Sequence, residues 1–226
     1  MFFKKEQETR KFNSEQILLS YNLTVNHDLP YSDTEKFLRI RTPEETLYRA
    51  LSMIPVCIKT INNDDSEENF SNTIGNLFKL GPHLTSAEIK YMMDKNPSKD
   101  IWIPLTWRLQ SIYTLFWVLG FIPSLNKPHS ENDFQLENII HILFSMGKEP
   151  NIYLSKANFR TKKELLDELD LYYRLHIACS EARFYNEDIS EKISEDMVYE
   201  RHYALSWVTC QRNEEWDDIT LLNGYI

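Results

Sequence analysis

Apolar residues recur at three- and four-residue spacing in several stretches of the chain, and each stretch opens on a helix-start signal. Thr42-Pro43-Glu44-Glu45 combines an N-cap, a proline at the first helical position and the acid of a capping box, ahead of Leu47, Leu51, Ile54, Ile58 and Ile61. Thr85-Ser86-Ala87-Glu88 is a second capping box, before Ile89, Met92 and Met93. Thr161-Lys162-Lys163-Glu164 is a third. It opens the longest pattern, in which Leu165, Leu169, Tyr172, His176, Cys179 and Ala182 fall on one stripe. Asn132-Asp133-Phe134-Gln135 reads as a further cap before Leu136, Ile139, Ile140, Leu143 and Phe144, with Gly147 as the stop.

Between residues 101 and 122 apolar side chains fall on nearly every face, and a helix that is apolar all round is a buried one. Pro104 suits a first turn, so the pattern predicts a central helix over about residues 103–120. Residues 22–35 and 148–160 mix Pro, Asn and alternating apolar positions and are expected to be loops or short extended pieces. Residues 62–72, with Asp64, Asp65, Glu67 and Glu68, predict an exposed turn, and residues 1–12 are expected to be disordered. No repeat of solenoid length and no Pro-, Gly- or Ser-rich linker divides the chain. The expected fold is mainly α: a single-domain multi-helix bundle over residues 1–226 around the buried central helix, with short irregular or extended connections.

Composition supports that picture. Aromatic residues make up 13% of the 226 positions, ample for one sizeable core, and five glycines are few for a protein of many tight hairpins. The net charge of −9 sets a limit on partners. The densest basic run is Arg160-Thr161-Lys162-Lys163, too short for a phosphate-binding stripe, so nucleic acid is excluded and a neutral or basic protein partner is favoured. The most apolar run, Ile112 to Pro123, is too short to span a bilayer about 30 Å thick. With no apolar signal region in Met1-Phe2-Phe3-Lys4-Lys5-Glu6 and no paired cysteines among Cys57, Cys179 and Cys210, the reading is cytoplasmic, with reduced thiols.

Catalytic and metal motifs are missing from the pattern. The glycines build no phosphate loop or dinucleotide fingerprint, and there is no nucleophile elbow. No acid stands three residues before any of the six histidines, so the Glu-x-x-His pairs of di-iron bundles are absent. His176 and Cys179 have i, i+3 spacing but lack two further ligands, and a satisfied core histidine is the better reading. No metal or cofactor is expected.

Several blocks resemble a bacterial family known as domain of unknown function 4272. Trp107-Arg108-Leu109-Gln110 with Leu115-Phe116-Trp117-Val118-Leu119-Gly120 is similar to that family's central helix. Asp170-Leu171-Tyr172-Tyr173-Arg174-Leu175-His176, and Glu200-Arg201-His202 through Trp207 with Trp216-Asp217-Asp218, are similar to its later motifs. Gln110 stands where the family has Glu, Ile177 where Trp is frequent and Ser206 where Asn is usual. The resemblance covers about residues 29–220 and implies a fold but no activity.

The same blocks supply a candidate polar cluster: Arg108, Asp170, Arg174, Glu200, Arg201, Trp216, Asp217 and Asp218. Asp170 and Arg174 are four apart with the acid first, the favourable helical order. Trp207 is expected in the core, with Trp216 returning the chain to the domain surface and Asp217 or Asp218 capping a last helical turn or pairing with an arginine such as Arg174. Two functions compete. One is a non-catalytic protein-interaction module of the immunity or regulatory type, with an acidic face for a basic partner. The other is a small-ligand binder or enzyme in which two arginines clamp a carboxylate or phosphate. No evident nucleophile tips the reading away from an enzyme.

Overall fold

Thr42, Thr85 and Thr161 each start a helix in the computed structural model, which describes residues 2–61, 76, 79–129, 136–146, 149–189 and 191–221. All three capping boxes close: each threonine hydroxyl accepts the backbone N–H three residues on, and Glu45, Glu88 or Glu164 reaches back to the threonine N–H. Among the described residues the helices with defined bounds are α1 (Phe2–Ser20), α2 (Pro43–Ile61), α3 (Ser86–Met93), α4 (Lys99–Thr106), α5 (Arg108–Val118), α6 (Leu136–Met146), α7 (Pro150–Lys156), α8 (Lys162–Phe184) and α9 (Glu195–Val208). Short 3-10 turns occur at Gly81–His83 and Trp216–Asp218, and there is no strand among the described residues.

The domain is a helical bundle around α5, whose residues from Leu109 to Val118 are all buried. Helix α2 packs on one side of α5 and α9 on another; α8 lies against α9, and α1 against α8. Helices α3, α4 and α7 gather around α2. At the end of α5, Gly120 adopts φ +78° and the Phe121 N–H reaches back to the Phe116 carbonyl, a glycine C-cap. Asn158 and Arg160 then bond by their backbone N–H groups to Leu119 and Val118, and the Arg160 guanidinium caps the Trp117, Ile122 and Pro123 carbonyls. This tie sets α8 against the end of α5.

Three expectations need correction. The apolar stretch is not one helix over 103–120: Pro104 sits inside α4, and the ladder breaks at Trp107, whose N–H turns back to the Pro104 carbonyl before α5 begins at Arg108. Residues 150–156 are helix α7 rather than an extended piece. Pro150 takes the first helical position, and buried Tyr153 donates to the Leu143 carbonyl. Residues 2–12 are part of helix α1 rather than disordered. Arg10, 2% exposed, ties them down through Asp167, Glu6, Ser32 and the Asp33 carbonyl. The cap expected at Asn132-Asp133-Phe134-Gln135, the stop at Gly147 and the turn over 62–72 lie outside the described residues.

Candidate functional site

The residues of the expected cluster do not meet in one pocket. They divide among separate arrangements around the crossing of α5, α8 and α9.

Arg108, on the first turn of α5, pairs with Glu200 of α9 at 3.2 Å. Ser111, one turn further, donates to the same carboxylate at 2.6 Å and to the Glu200 carbonyl at 3.1 Å. Arg201, the next residue of α9, is wholly buried and faces elsewhere. Its guanidinium donates to Gln110 Oε1 at 3.0 and 2.8 Å, to Tyr172 Oη at 2.8 Å and to the Asn126 carbonyl at 2.6 Å. Its hydrogen bonds all go to neutral oxygens, so its charge is balanced at longer range. Half-buried Glu168 lies in its field: burial lifts that carboxyl to about 7, and Arg201 opposes the rise. Arg174 and Asp170 form the expected i, i+4 pair at 2.9 and 3.2 Å, both 1% exposed. Arg174 also donates to the Pro30 carbonyl at 2.9 Å and lies 3.9 Å from Glu15 of α1. These three groups hold α1, α5, α8 and α9 in register.

The C-terminal block closes on α2 and α3. Trp216 is buried, with its ring edge-on to Tyr203 and Trp207, and Tyr203 Oη donates to its carbonyl. The Arg49 guanidinium stands 5.0 Å from the Trp216 ring centre and that of Arg108 stands 5.6 Å from it. Each of these arginines is paired with a buried glutamate, Arg108 with Glu200 and Arg49 with Glu88, the latter at 2.6 and 2.7 Å. Asp217 Oδ2 accepts the Ala87 N–H, a second cap on α3 beside Thr85. Asp218 is exposed. Asp217 thus caps the start of a helix far upstream rather than a last helical turn, and neither acid pairs with Arg174.

Arg49 and Glu88 were not among the expected cluster. Glu88 was legible only as the third helical position of a capping box, yet the same carboxylate serves Thr85 and Arg49. Nothing in the spacing of α2 links Arg49 to a helix that starts beyond an undescribed stretch.

Two cavities flank the segment from Gln211 to Leu221. The larger, about 730 Å³, opens between α2, the start of α3 and the block itself. Trp207, Trp216 and Tyr48 line it, the last stacked on His83 at 3.9 Å. Its mouth carries five exposed acids, Glu44, Glu45, Glu215, Asp217 and Asp218, against Arg41 and Arg49. Arg41 is committed to Glu45, Glu215 and the Glu214 carbonyl. Burial lowers the His83 pKa, so that ring is neutral at pH 7.

The smaller cavity, about 350 Å³, lies between the loop around Pro30, α8, α9 and the C-terminal segment. On its α9 side are His202 and Ser206. His202 Nδ1 meets His176 Nδ1 at 3.0 Å. Burial pushes His176 down to about 4, with Arg183 adding to the shift, and His202 to about 3, with His176 adding. Both rings are neutral at pH 7. Among the described residues no group of three or more His, Cys, Asp or Glu is placed to hold a metal ion, and no helix is long and apolar enough to cross a membrane.

Charged motif residues packed between helices, beside an acid-rimmed groove, belong to a mainly helical domain. A family model described as Domain of unknown function (DUF4272) matches residues 10–219, and the chain belongs to that family. No curated protein and no solved structure matches the chain.

Proposed function

We propose that this protein is a non-catalytic interaction module that receives a basic segment of a partner protein in the larger cavity. The observation that carries this reading is the ring of five exposed acids over a floor of Trp207, Trp216 and Tyr48. Glu44 and Asp218 make no ion pair or side-chain hydrogen bond among the described residues, so their charge is left for a partner. The overall charge of −9 would speed the approach of a basic surface. The competing reading, a ligand clamp or enzyme built from the Arg/Asp/Glu cluster, draws less support. Arg108, Arg174 and Glu200 spend their charge on one another or on near neighbours in separate places.

Calorimetry with a Lys- and Arg-rich peptide and its Glu-rich counterpart tests the proposal. The basic peptide should bind and weaken with salt, and Glu44→Lys with Asp218→Lys should cut its affinity at least tenfold. Glu149→Lys with Glu187→Lys, the same change of charge elsewhere on the surface, should leave most of the binding intact. Equal losses in the two double variants would mean that net charge, and not this groove, attracts the peptide.

A further inference from the structure

The smaller cavity has features that the groove does not share. His202 is 4% exposed, and its Nδ1 is taken by His176, so Nε2 is the ring nitrogen left to the cavity; it has no partner among the described residues. Ser206 is 6% exposed, lines the same space, and its hydroxyl also makes no hydrogen bond among the described residues. The two stand four apart on α9, which places them side by side on one face. Both atoms open onto the cavity without a protein partner among the described residues, so the two neighbouring groups present a paired hydrogen-bonding edge to whatever fills it.

The electrostatics restrict what that can be. Two neutral rings joined Nδ1 to Nδ1 share one proton, and His202 Nε2 is a donor or an acceptor according to which ring holds it. The Ser206 hydroxyl is both. Asp170, which lines the cavity, is neutralised by Arg174, and Arg174 has its other contacts with the Pro30 carbonyl and Glu15. The buried floor thus offers no free charge; exposed Asp33 and Arg212, of opposite sign, and Glu214, which accepts the Thr220 N–H, also line the cavity, while Leu169, Ile219 and Tyr173 provide apolar wall. The volume is at the small end of ligand sites, which run from about 300 to 1,000 Å³.

We propose that this cavity binds a small uncharged molecule carrying an acceptor and a donor on one edge, an amide, lactam or similar heterocycle, held by His202 Nε2 and the Ser206 hydroxyl with its apolar body against Leu169 and Ile219. The site is separate from the groove and does not depend on the partner assigned to it.

Three probes of one size and different charge test this: benzamide, benzoate and benzylamine, each titrated into the full chain at neutral pH. Saturation-transfer NMR reads binding, and the imidazole nitrogen shifts of His202 locate it. Benzamide should bind with a dissociation constant on the order of 1 mM and move the His202 Nε2 resonance, with benzoate and benzylamine at least tenfold weaker. Ser206→Leu should fill the space and abolish binding. Ser206→Ala, which removes only the hydroxyl and keeps the fold, should weaken it severalfold; it decides the matter if the leucine variant does not fold. Glu44→Lys with Asp218→Lys should leave benzamide binding unchanged. The proposal is overturned if benzamide does not bind, if either charged probe binds as well, or if Ser206→Ala binds as the parent does.

Discussion

His176 and His202 face each other Nδ1 to Nδ1 at 3.0 Å in the buried seam between α8 and α9. A single proton can occupy that bond, so the two rings cannot both be protonated without breaking it. Both pKa values are depressed, to about 4 and about 3, against an ordinary value of 6.5. In this range the unfolded chain takes up protons that the folded chain refuses, so stability falls as pH drops below 6.5 and goes on falling until the folded values are reached. Between pH 7 and pH 5 the two rings together should remove roughly 3–4 kcal/mol. Glu168 acts in the opposite sense. Its folded value of about 7 lies above the unfolded one, so acidification over the same range returns about 2 kcal/mol. The expected outcome is a shallow loss of stability in the parent and a loss steeper by about 2 kcal/mol in Glu168→Gln, read by urea unfolding at pH 7, 6 and 5. A Glu168→Gln protein no less stable at pH 5 than at pH 7 would refute the assignment of neutral rings.

Trp216 should matter to stability as much as Trp207. Isolated by the polar run Asn213-Glu214-Glu215, Trp216 looks in the sequence like a lesser anchor. In the fold its ring is the common surface for Arg49 and Arg108, each of which carries a buried glutamate. Removing the ring leaves a void and two guanidinium groups without their stacking face. Trp216→Ala and Trp207→Ala should each cost about 3–5 kcal/mol, and Trp216→Phe clearly less than Trp216→Ala. Denaturant midpoints measure all three. A Trp216→Ala loss below about 1 kcal/mol would show that the block is dispensable to the fold.

The Arg49–Glu88 pair can be separated from the cap it shares. Glu88→Gln retains an oxygen for the Thr85 N–H and removes the charge; Glu88→Ala removes both. Because Arg49 is 6% exposed, loss of its counter-charge leaves a buried cation, worth roughly 3–5 kcal/mol. Most of the damage should therefore appear already in Glu88→Gln, with Glu88→Ala adding about 1 kcal/mol for the cap. Replacing both partners, Arg49→Met with Glu88→Gln, should recover a large part of it. Additive losses in this double-mutant cycle would deny the coupling.

What the sequence disclosed was local. Thr42, Thr85 and Thr161 carry their own caps within three residues, so those helix starts can be read without any tertiary knowledge. The stripe from Leu165 to Ala182 and the all-round apolar character of α5 are likewise periodic signals. Pairings across the fold left no such trace. Arg49 and Glu88 are 39 positions apart and Arg201 and Gln110 are 91 apart, and no periodicity relates them. Helix α1 was hidden for the opposite reason: it docks through Arg10 and other polar groups, so it lacks the apolar stripe by which a helix is recognised. The expected cluster joined residues that share motifs but face different neighbours. Glu200 and Arg201 are adjacent in sequence and about 100° apart around α9, which is enough to send one to Arg108 and the other to Gln110.

Gly120 is the position at which a single methyl group should do most harm. Its φ of +78° is a conformation that residues with a Cβ adopt only under strain, and an added Cβ would stand 2.4 Å from the Asn158 carbonyl oxygen. That oxygen belongs to the backbone of the segment tied to Val118 and Leu119, so no side-chain rotation relieves the contact. Gly120→Ala combines the left-handed penalty, about 1–2 kcal/mol, with displacement of the tie that sets α8 against α5. A loss of at least 2 kcal/mol is expected, with a fall in the melting temperature of several degrees. Asn158→Gly should not rescue it, since the clashing atom is unchanged. Gly81→Ala is the control, because nothing lies within 4 Å of the Cβ it would add, and its effect should stay within about 0.5 kcal/mol. Rescue of Gly120→Ala by Asn158→Gly would place the clash in the side chain and undo the argument that the backbone tie from Asn158 to Leu119 fixes the end of the central helix.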